Sequence, residues 1–239
     1  MTVRIAMWSG PRNISTALMR AFENRPDCAV VDEPFYAAYL AATGLDHPMR
    51  EAVLASQPQD WRVVAKALVE AEPAPVFYQK QMTHHMLPGV GLDWMAACRN
   101  AFLIRDPAAV LASYVRSRAE VTLDDIGVMR QRELFEREAA RLGRAPPVVE
   151  SAEVLADPRA TLTRLCAALG IPFREEMLSW PAGPRAGDGV WAPAWYAAVE
   201  RSTGFAASER AAAAPLTDAL KRIADRARPH YEALARWKI

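Results

Sequence analysis

Short apolar runs bounded by turn residues alternate along the chain with segments whose apolar positions recur at helical spacing. Val3–Trp8 is apolar throughout most of its length and is stopped by Ser9-Gly10-Pro11, which predicts a buried strand. Ser15–Asn24 follows with Ala17, Leu18, Ala21 and Phe22 on one helical face. Further strands are predicted at Cys28–Val31, Val76–Gln79, Ala101–Ile104 and Pro147–Glu150, and helices at Tyr36–Ala42 and Trp61–Glu70. Pro107 suits the first turn of a helix after the fourth strand. Asp125–Leu142, rich in charges and helix formers, reads as one long surface helix, and Ala160–Leu169 as a helix closed by Gly170 and Pro172. Trp180–Trp195 mixes Pro, Gly and Trp and is expected to be a long structured loop. Phe205–Ala214 is Ala-rich and expected to be loosely ordered, and Leu216–Arg236 has the pattern of a closing amphipathic helix.

Strands alternating with helices imply βαβ units and a mainly parallel sheet. Ligands of such sheets bind beyond the carboxyl ends of the strands. That rule singles out Ser9–Thr16, Asp32–Phe35, Lys80–His85 and Arg105–Ser113, which should converge on one site.

Composition narrows the function classes. The 239 residues, 51% hydrophobic and 24% charged, are those of a globular chain. A formal net charge of +1 leaves no broad basic field for holding nucleic acid, so an anion site must be local. Cys28, Cys98 and Cys166 are odd in number and not at metal-ligand spacing, so neither a disulfide framework nor a zinc site is expected and a reducing compartment is. The first residues carry too short an apolar run for a signal peptide, and no stretch approaches the roughly 20 apolar residues of a membrane span. A cytoplasmic protein without membrane or nucleic-acid partners is expected.

The first chemical motif is Ser9-Gly10-Pro11-Arg12-Asn13-Ile14-Ser15-Thr16. A strand enters a tight loop that opens a helix, whose free N–H groups and positive dipole end suit a phosphate. Arg12 adds a planar cation, and Ser15 and Thr16 add hydroxyls. A plain βα turn with a polar cap has the same local look. The loop is not a Walker A loop, because Ser15 and Thr16 stand where its second Gly and its Lys would fall. The second motif places Arg105 at a strand end and Ser113 about two helical turns onward, so that the two can hold one phosphate from two sides. Glu33, just past the second strand, is a candidate proton acceptor. Lys80 can stabilise charge on a leaving phosphate. His84 or His85 is the other candidate base, since an ordinary imidazole titrates near neutrality.

These segments together resemble the PAPS-dependent sulfotransferases, which transfer a sulfuryl group from 3′-phosphoadenosine-5′-phosphosulfate. Pro11–Thr16 is similar to that family's 5′-phosphosulfate loop, with Arg12 in place of the usual Lys and Ile14 in place of a Gly. Arg105-Asp106-Pro107, with Ser113 eight residues after the Arg, resembles the family's 3′-phosphate grip. Lys80 to His85 looks like its Lys-Thr-His segment stretched by two residues. Ser-Thr-Ala-Leu-Met and Asp-Glu-Pro-Phe-Tyr segments resemble a bacterial and plant subgroup, attached in plants to aminotransferase-like proteins. The family's Arg-Lys-Gly segment is missing, and Arg185 is the candidate substitute. Glu150 resembles a structural carboxylate of the family. Trp180, Trp191 and Trp195 are either core or loop anchors or an acceptor wall.

The resemblance implies a three-layer α/β fold of the P-loop nucleoside-triphosphate-hydrolase type, forming a single domain over 1–239 with its sheet core in about 1–173. It implies PAPS as sulfuryl donor, PAP as product, a small-molecule hydroxyl or amine acceptor, and no metal. Pro11, Arg12, Asn13, Ile14, Ser15, Thr16, Arg105, Ser113 and Arg185 would bind the donor. Glu33, Lys80, His84, His85 and Arg12 would serve catalysis, with either Glu33 or one His as the base. The alternatives are an ATP-dependent, P-loop kinase-like phosphotransferase with Asp32 near its magnesium, and a non-catalytic nucleotide-binding module.

Overall fold

A computed structural model describes residues 2–115, 121–205 and 216–239. Its five strands are β1 (Val3–Ser9), β2 (Cys28–Asp32), β3 (Val76–Met82), β4 (Arg99–Ile104) and β5 (Val148–Glu150). They form one parallel sheet in the order β2-β3-β1-β4-β5. The helices α1 (Ser15–Glu23), α2 (Tyr36–Thr43), α3 (Arg50–Ser56), α4 (Trp61–Glu70), α5 (Pro107–Tyr114) and α6 (Val128–Leu142) lie between strands. After β5 come α7 (Ser151–Ala156), α8 (Pro158–Ala168), the short α9 (Ala192–Trp195) and α10 (Ala197–Glu200), and the closing α11 (Asp218–Ala235).

β1 runs along the middle of the sheet, and its side chains alternate between two cores. Ile5 and Met7 pack with Leu18 and Phe22 of α1 and Leu162 and Leu165 of α8. Ala6 and Trp8 pack on the opposite face with Val64 and Leu68 of α4, Leu134 and Phe135 of α6 and Leu234 of α11. A strand buried on both faces reads as a continuous apolar run, which is why Val3–Trp8 is legible. The result is the three-layer α/β arrangement that the alternation of strands and helices predicts. Among the described residues, no helix is long and apolar enough to cross a membrane.

Three sequence expectations need correction. β3 continues three residues past Gln79, because Lys80 and Gln81 are buried in the strand with partners for their polar groups. The long charged helix starts at Val128 and not at Asp125. Gly127 takes φ 67, its N–H turns back to the Asp124 carbonyl at 3.0 Å, and the chain bends there. The Trp-rich loop ends in α9, and α3 forms within a stretch that shows no strong pattern. The Ala-rich segment lies outside the described residues except for Phe205, whose ring meets Trp180 edge-on.

Candidate functional site

At the carboxyl ends of the strands, backbone carbonyls lose their ladder partners and must find others. Side chains supply them. Gln131 of α6 donates to the Trp8 and Leu103 carbonyls at 3.1 and 2.8 Å. Asn13 donates to Leu103 at 3.2 Å. The Ser151 hydroxyl lies 2.9 Å from both the Asn13 and the Ile104 carbonyls and shares its one proton between them. These bonds tie the loop after β1 to β4 and β5. The loops then enclose a cavity of about 440 Å³, lined by residues from Pro11 to Ala17, by Glu33, Lys80, His84, His85, Arg105 and Ser113, and by the segment around Trp191 to Phe205. That volume falls in the usual range of small-molecule sites.

One half of the cavity is cationic. Arg12 and Ile14 both take left-handed backbone conformations, φ 61 and φ 57. Ile14 is the N-cap residue of α1 and makes no side-chain cap, so the first turn of that helix offers its N–H groups and dipole end to the cavity. Arg12 Nε donates to Ser113 Oγ at 3.1 Å, and the Arg105 guanidinium donates to the Arg12 carbonyl at 2.5 Å. Asp106 caps α5 by accepting from Ala108 and Ala109 at 2.9 and 3.2 Å, which fixes the helix that carries Ser113. The Gly expected in such a loop is thus explained physically. The position demands a left-handed conformation, which Ile adopts under strain.

The other half is aromatic and holds the titratable groups. Lys80 is 1% exposed and lies opposite Asp32 in the β2–β3 register. Its Nζ donates to Asp32 Oδ1 at 2.8 Å, Glu33 Oε1 at 2.8 Å and the Tyr196 hydroxyl at 2.7 Å. All three N–H donors of the ammonium are therefore engaged. Burial works against its charge, but Asp32 and then Glu33 hold its pKa well above the usual lysine value. Glu33, with φ 39, is raised above the usual carboxylate value by burial, with Lys80 acting against the rise and Asp32 adding to it. Its Oε2 lies 4.0 Å from His85 Nε2. His85 is stacked on Tyr36 and Tyr39 with centroids 4.9 and 4.7 Å away, and burial holds its pKa well below the usual imidazole value. Among the described residues, neither of its ring nitrogens has a hydrogen-bond partner. His84 also lines the cavity and meets His85 edge-on at 4.5 Å.

Of the residues assigned from the sequence to donor binding or catalysis, all but one line this cavity. Asn13 does so with its side chain turned inward to β4, leaving its backbone to the cavity. Arg185 is the exception. Its guanidinium faces Glu23 at 3.4 Å, at the far end of α1, and Asp188 accepts from its backbone N–H at 2.8 Å. A nine-residue helix separates that end from the loop by roughly 13 Å. Trp191 and Trp195 line the cavity, whereas Trp180 belongs to the core. The residues that sequence reasoning passed over are Tyr36, His47 and above all Tyr196. Their only sequence signal was indirect: Asp32 and Lys80 are charges at the ends of apolar strands and require buried partners.

Comparison with known proteins gives the family and the fold. Residues 3–237 match a family model described as a sulfotransferase domain. The chain is 37% identical over 207 residues to branched-chain-amino-acid aminotransferase-like protein 1 of Arabidopsis thaliana, covering 86% of this chain and 37% of that protein. It thus spans little more than a third of that relative's length. Among solved structures, its fold is similar to a sulfotransferase from Alicyclobacillus acidocaldarius, with a TM-score of 0.60, 12% identity, and coverage of 100% of this chain and 98% of that one. It is also similar to the sulfotransferase domain of the Synechococcus PCC 7002 olefin synthase, with a TM-score of 0.55, 20% identity and 94% of each chain covered.

Proposed function

The chain belongs to the sulfotransferase domain family, and from that premise we propose that it moves a sulfuryl group from PAPS to the hydroxyl or amine of a small acceptor. The observation that carries this reading is the joining, in one cavity, of an anion-holding half at Arg12, Arg105 and Ser113 with a half that holds Glu33. The residues fit the donor. An uncapped helix N-terminus and a loop of left-handed residues suit a phosphosulfate, and Arg105 with Ser113 suits a second phosphate. The acceptor oxygen or nitrogen forms the new bond to sulfur, the sulfur–oxygen bond to the 5′-phosphate breaks, and the acceptor proton passes to Glu33. PAP carries away the bridging oxygen and its electron pair.

Glu33 is favoured over His85 as base because its proton affinity is raised, whereas His85 is held neutral by burial and binds protons weakly. Arg12, not Lys80, is the cation for the leaving phosphate, since the N–H donors of Lys80 are committed elsewhere. In-line transfer of this kind depends mainly on positioning and charge stabilisation. Asp32, the carboxylate a magnesium-nucleotide enzyme would enlist, is bound by Lys80, Tyr196 and Gly189.

Thermal stability with PAP, ADP or Mg-ATP tests the reading, on the native chain and on Arg105→Ala. Saturation with PAP at 100 times its dissociation constant should stabilise the native chain by about 2.7 kcal/mol. ADP should do much less, and Arg105→Ala should lose the effect of PAP. Stabilisation by Mg-ATP alone would overturn the proposal.

A further inference from the structure

Tyr196 stands 116 residues beyond Lys80 in the chain, yet its hydroxyl is bonded on three sides, to both strand charges and to Trp191. It accepts from Lys80 Nζ at 2.7 Å and from Trp191 Nε1 at 3.1 Å, and it donates to Asp32 Oδ2 at 2.6 Å. Asp32 Oδ2 also accepts from the Gly189 N–H at 3.1 Å. The segment that walls the acceptor half of the cavity is thereby fastened to the ends of β2 and β3. The groups that face Glu33 are Asp32 from β2, Lys80 from β3, His85 from the turn after β3, Tyr36 from α2 and Tyr196 from the junction of α9 and α10. Lys80 is the one cation among them.

We propose that Tyr196 and Asp32 are positioning residues: together they hold the Lys80 ammonium against Glu33 Oε1, so that the carboxylate is fixed with Oε2 turned to the acceptor. This rests on Glu33 as the base of the proposed transfer. A lysine has a flexible four-carbon stem and three rotatable donors, so one contact with Glu33 would not fix either group. Two further acceptors do fix the ammonium. The arrangement also divides the charge of Lys80. Opposite Glu33 alone, the ammonium would hold that carboxylate firmly ionised and make it a poor proton acceptor. Asp32 offsets that charge, and its own second oxygen is held in turn by the Tyr196 hydroxyl. Burial, then Asp32, keep Tyr196 protonated far above the usual phenol value, so it remains a donor to Asp32. Trp191 bonds to the same hydroxyl and lines the cavity, so the acceptor wall and the base share one anchor.

The test is a side-chain carboxyl NMR titration of Glu33, assigned by its loss in Glu33→Gln and run on the native chain, Asp32→Asn and Tyr196→Phe. Asp32→Asn leaves Lys80 and Glu33 as a neutral pair, and Tyr196→Phe keeps the ring. PAP binding unchanged within about twofold reports that each variant is folded. The expected result is a Glu33 midpoint lowered by about one pH unit in Asp32→Asn. Tyr196→Phe should lower it by less, because Lys80, freed from the hydroxyl, draws toward Glu33. In turnover, both variants should lose about tenfold or more in kcat with the donor KM held, and the acid limb of the pH–rate profile should move down with the midpoint. An unchanged or raised midpoint in Asp32→Asn overturns the positioning role, whatever the activity. Midpoints that move as expected in a chain that transfers no sulfuryl group to any acceptor uphold the positioning and overturn the proposed function.

Discussion

Four non-glycine residues among those described have positive φ, and three of them, Arg12, Ile14 and Glu33, line the cavity. Backbone strain of this kind persists only where the surroundings over-determine it, and it gathers at sites that bind or react. At Ile14 it can be measured. A β-branched residue held left-handed costs about 1–2 kcal/mol relative to glycine, but the Ile14 side chain packs against the core. Ile14→Ala keeps the strain and loses the packing, whereas Ile14→Gly loses both. The glycine variant should therefore be the more stable of the two by about 1 kcal/mol, reversing the order these residues show at ordinary positions. Urea denaturation of the pair decides it, and an alanine variant as stable as the glycine one would show that the loop relaxes to negative φ.

At the scale of elements, the site depends on how closely the loop after β1 meets its neighbours. Gly10 lies against the bend before α6. A Cβ placed on it would stand 2.3 Å from the Ile126 carbonyl oxygen, which is backbone and cannot rotate away. Gly10→Ala should destabilise the protein by about 1–3 kcal/mol. It should also weaken PAP binding, because the same shift displaces Arg12. Calorimetric titration alongside denaturation separates the two effects. The register of β2 on β3 matters equally. Asp32 opposite Lys80 puts both side chains on one face, and a slip of one residue would part them.

Across the whole molecule, buried ionisable groups make stability depend on pH in opposing ways. His85 has a folded pKa well below 6.5, set by burial first and then by His84, His47 and Lys80. The unfolded chain binds a proton there that the folded chain refuses, so stability falls as pH drops below the unfolded value, by up to about 1.4 kcal/mol per pH unit. Glu33 acts in the reverse sense. Its folded pKa is raised, so its contribution is full at low pH and is lost as pH rises through the folded value. His85→Phe retains a ring for the stack on Tyr36 and Tyr39 and removes one titration. Its stability relative to the native chain should improve steadily from about pH 7 to about pH 5, followed by chemical denaturation at each pH. A constant difference would mean that His85 titrates normally. At the far side of the sheet, Glu150 accepts from the Tyr231 hydroxyl and from Lys238 at 2.6 Å, which docks the end of α11 and the chain terminus against β5.

The alternation of buried strands and helices, the four strand-end loops and most of the cavity lining were legible in the chain, because a strand buried on both faces must be apolar and its loop must supply the chemistry. Arg12, Glu33, Arg105 and Ser113 follow strands and meet at one edge for that reason. Arg185 was misplaced because a cation in a Gly- and Pro-rich loop carries no sign of which carboxylate it will meet, and Glu23 met it. Lys80 looked like a phosphate ligand because its sequence neighbours do not reveal that Asp32, Glu33 and Tyr196 take all three of its donors. Tyr196 left no mark in the pattern, since one tyrosine in a loop is like another until the fold brings it beneath Trp191 and onto Asp32. Local sequence determines elements through short-range periodicity and turn chemistry. Which distant polar groups satisfy one another in the interior is decided only when the sheet closes and buries them together.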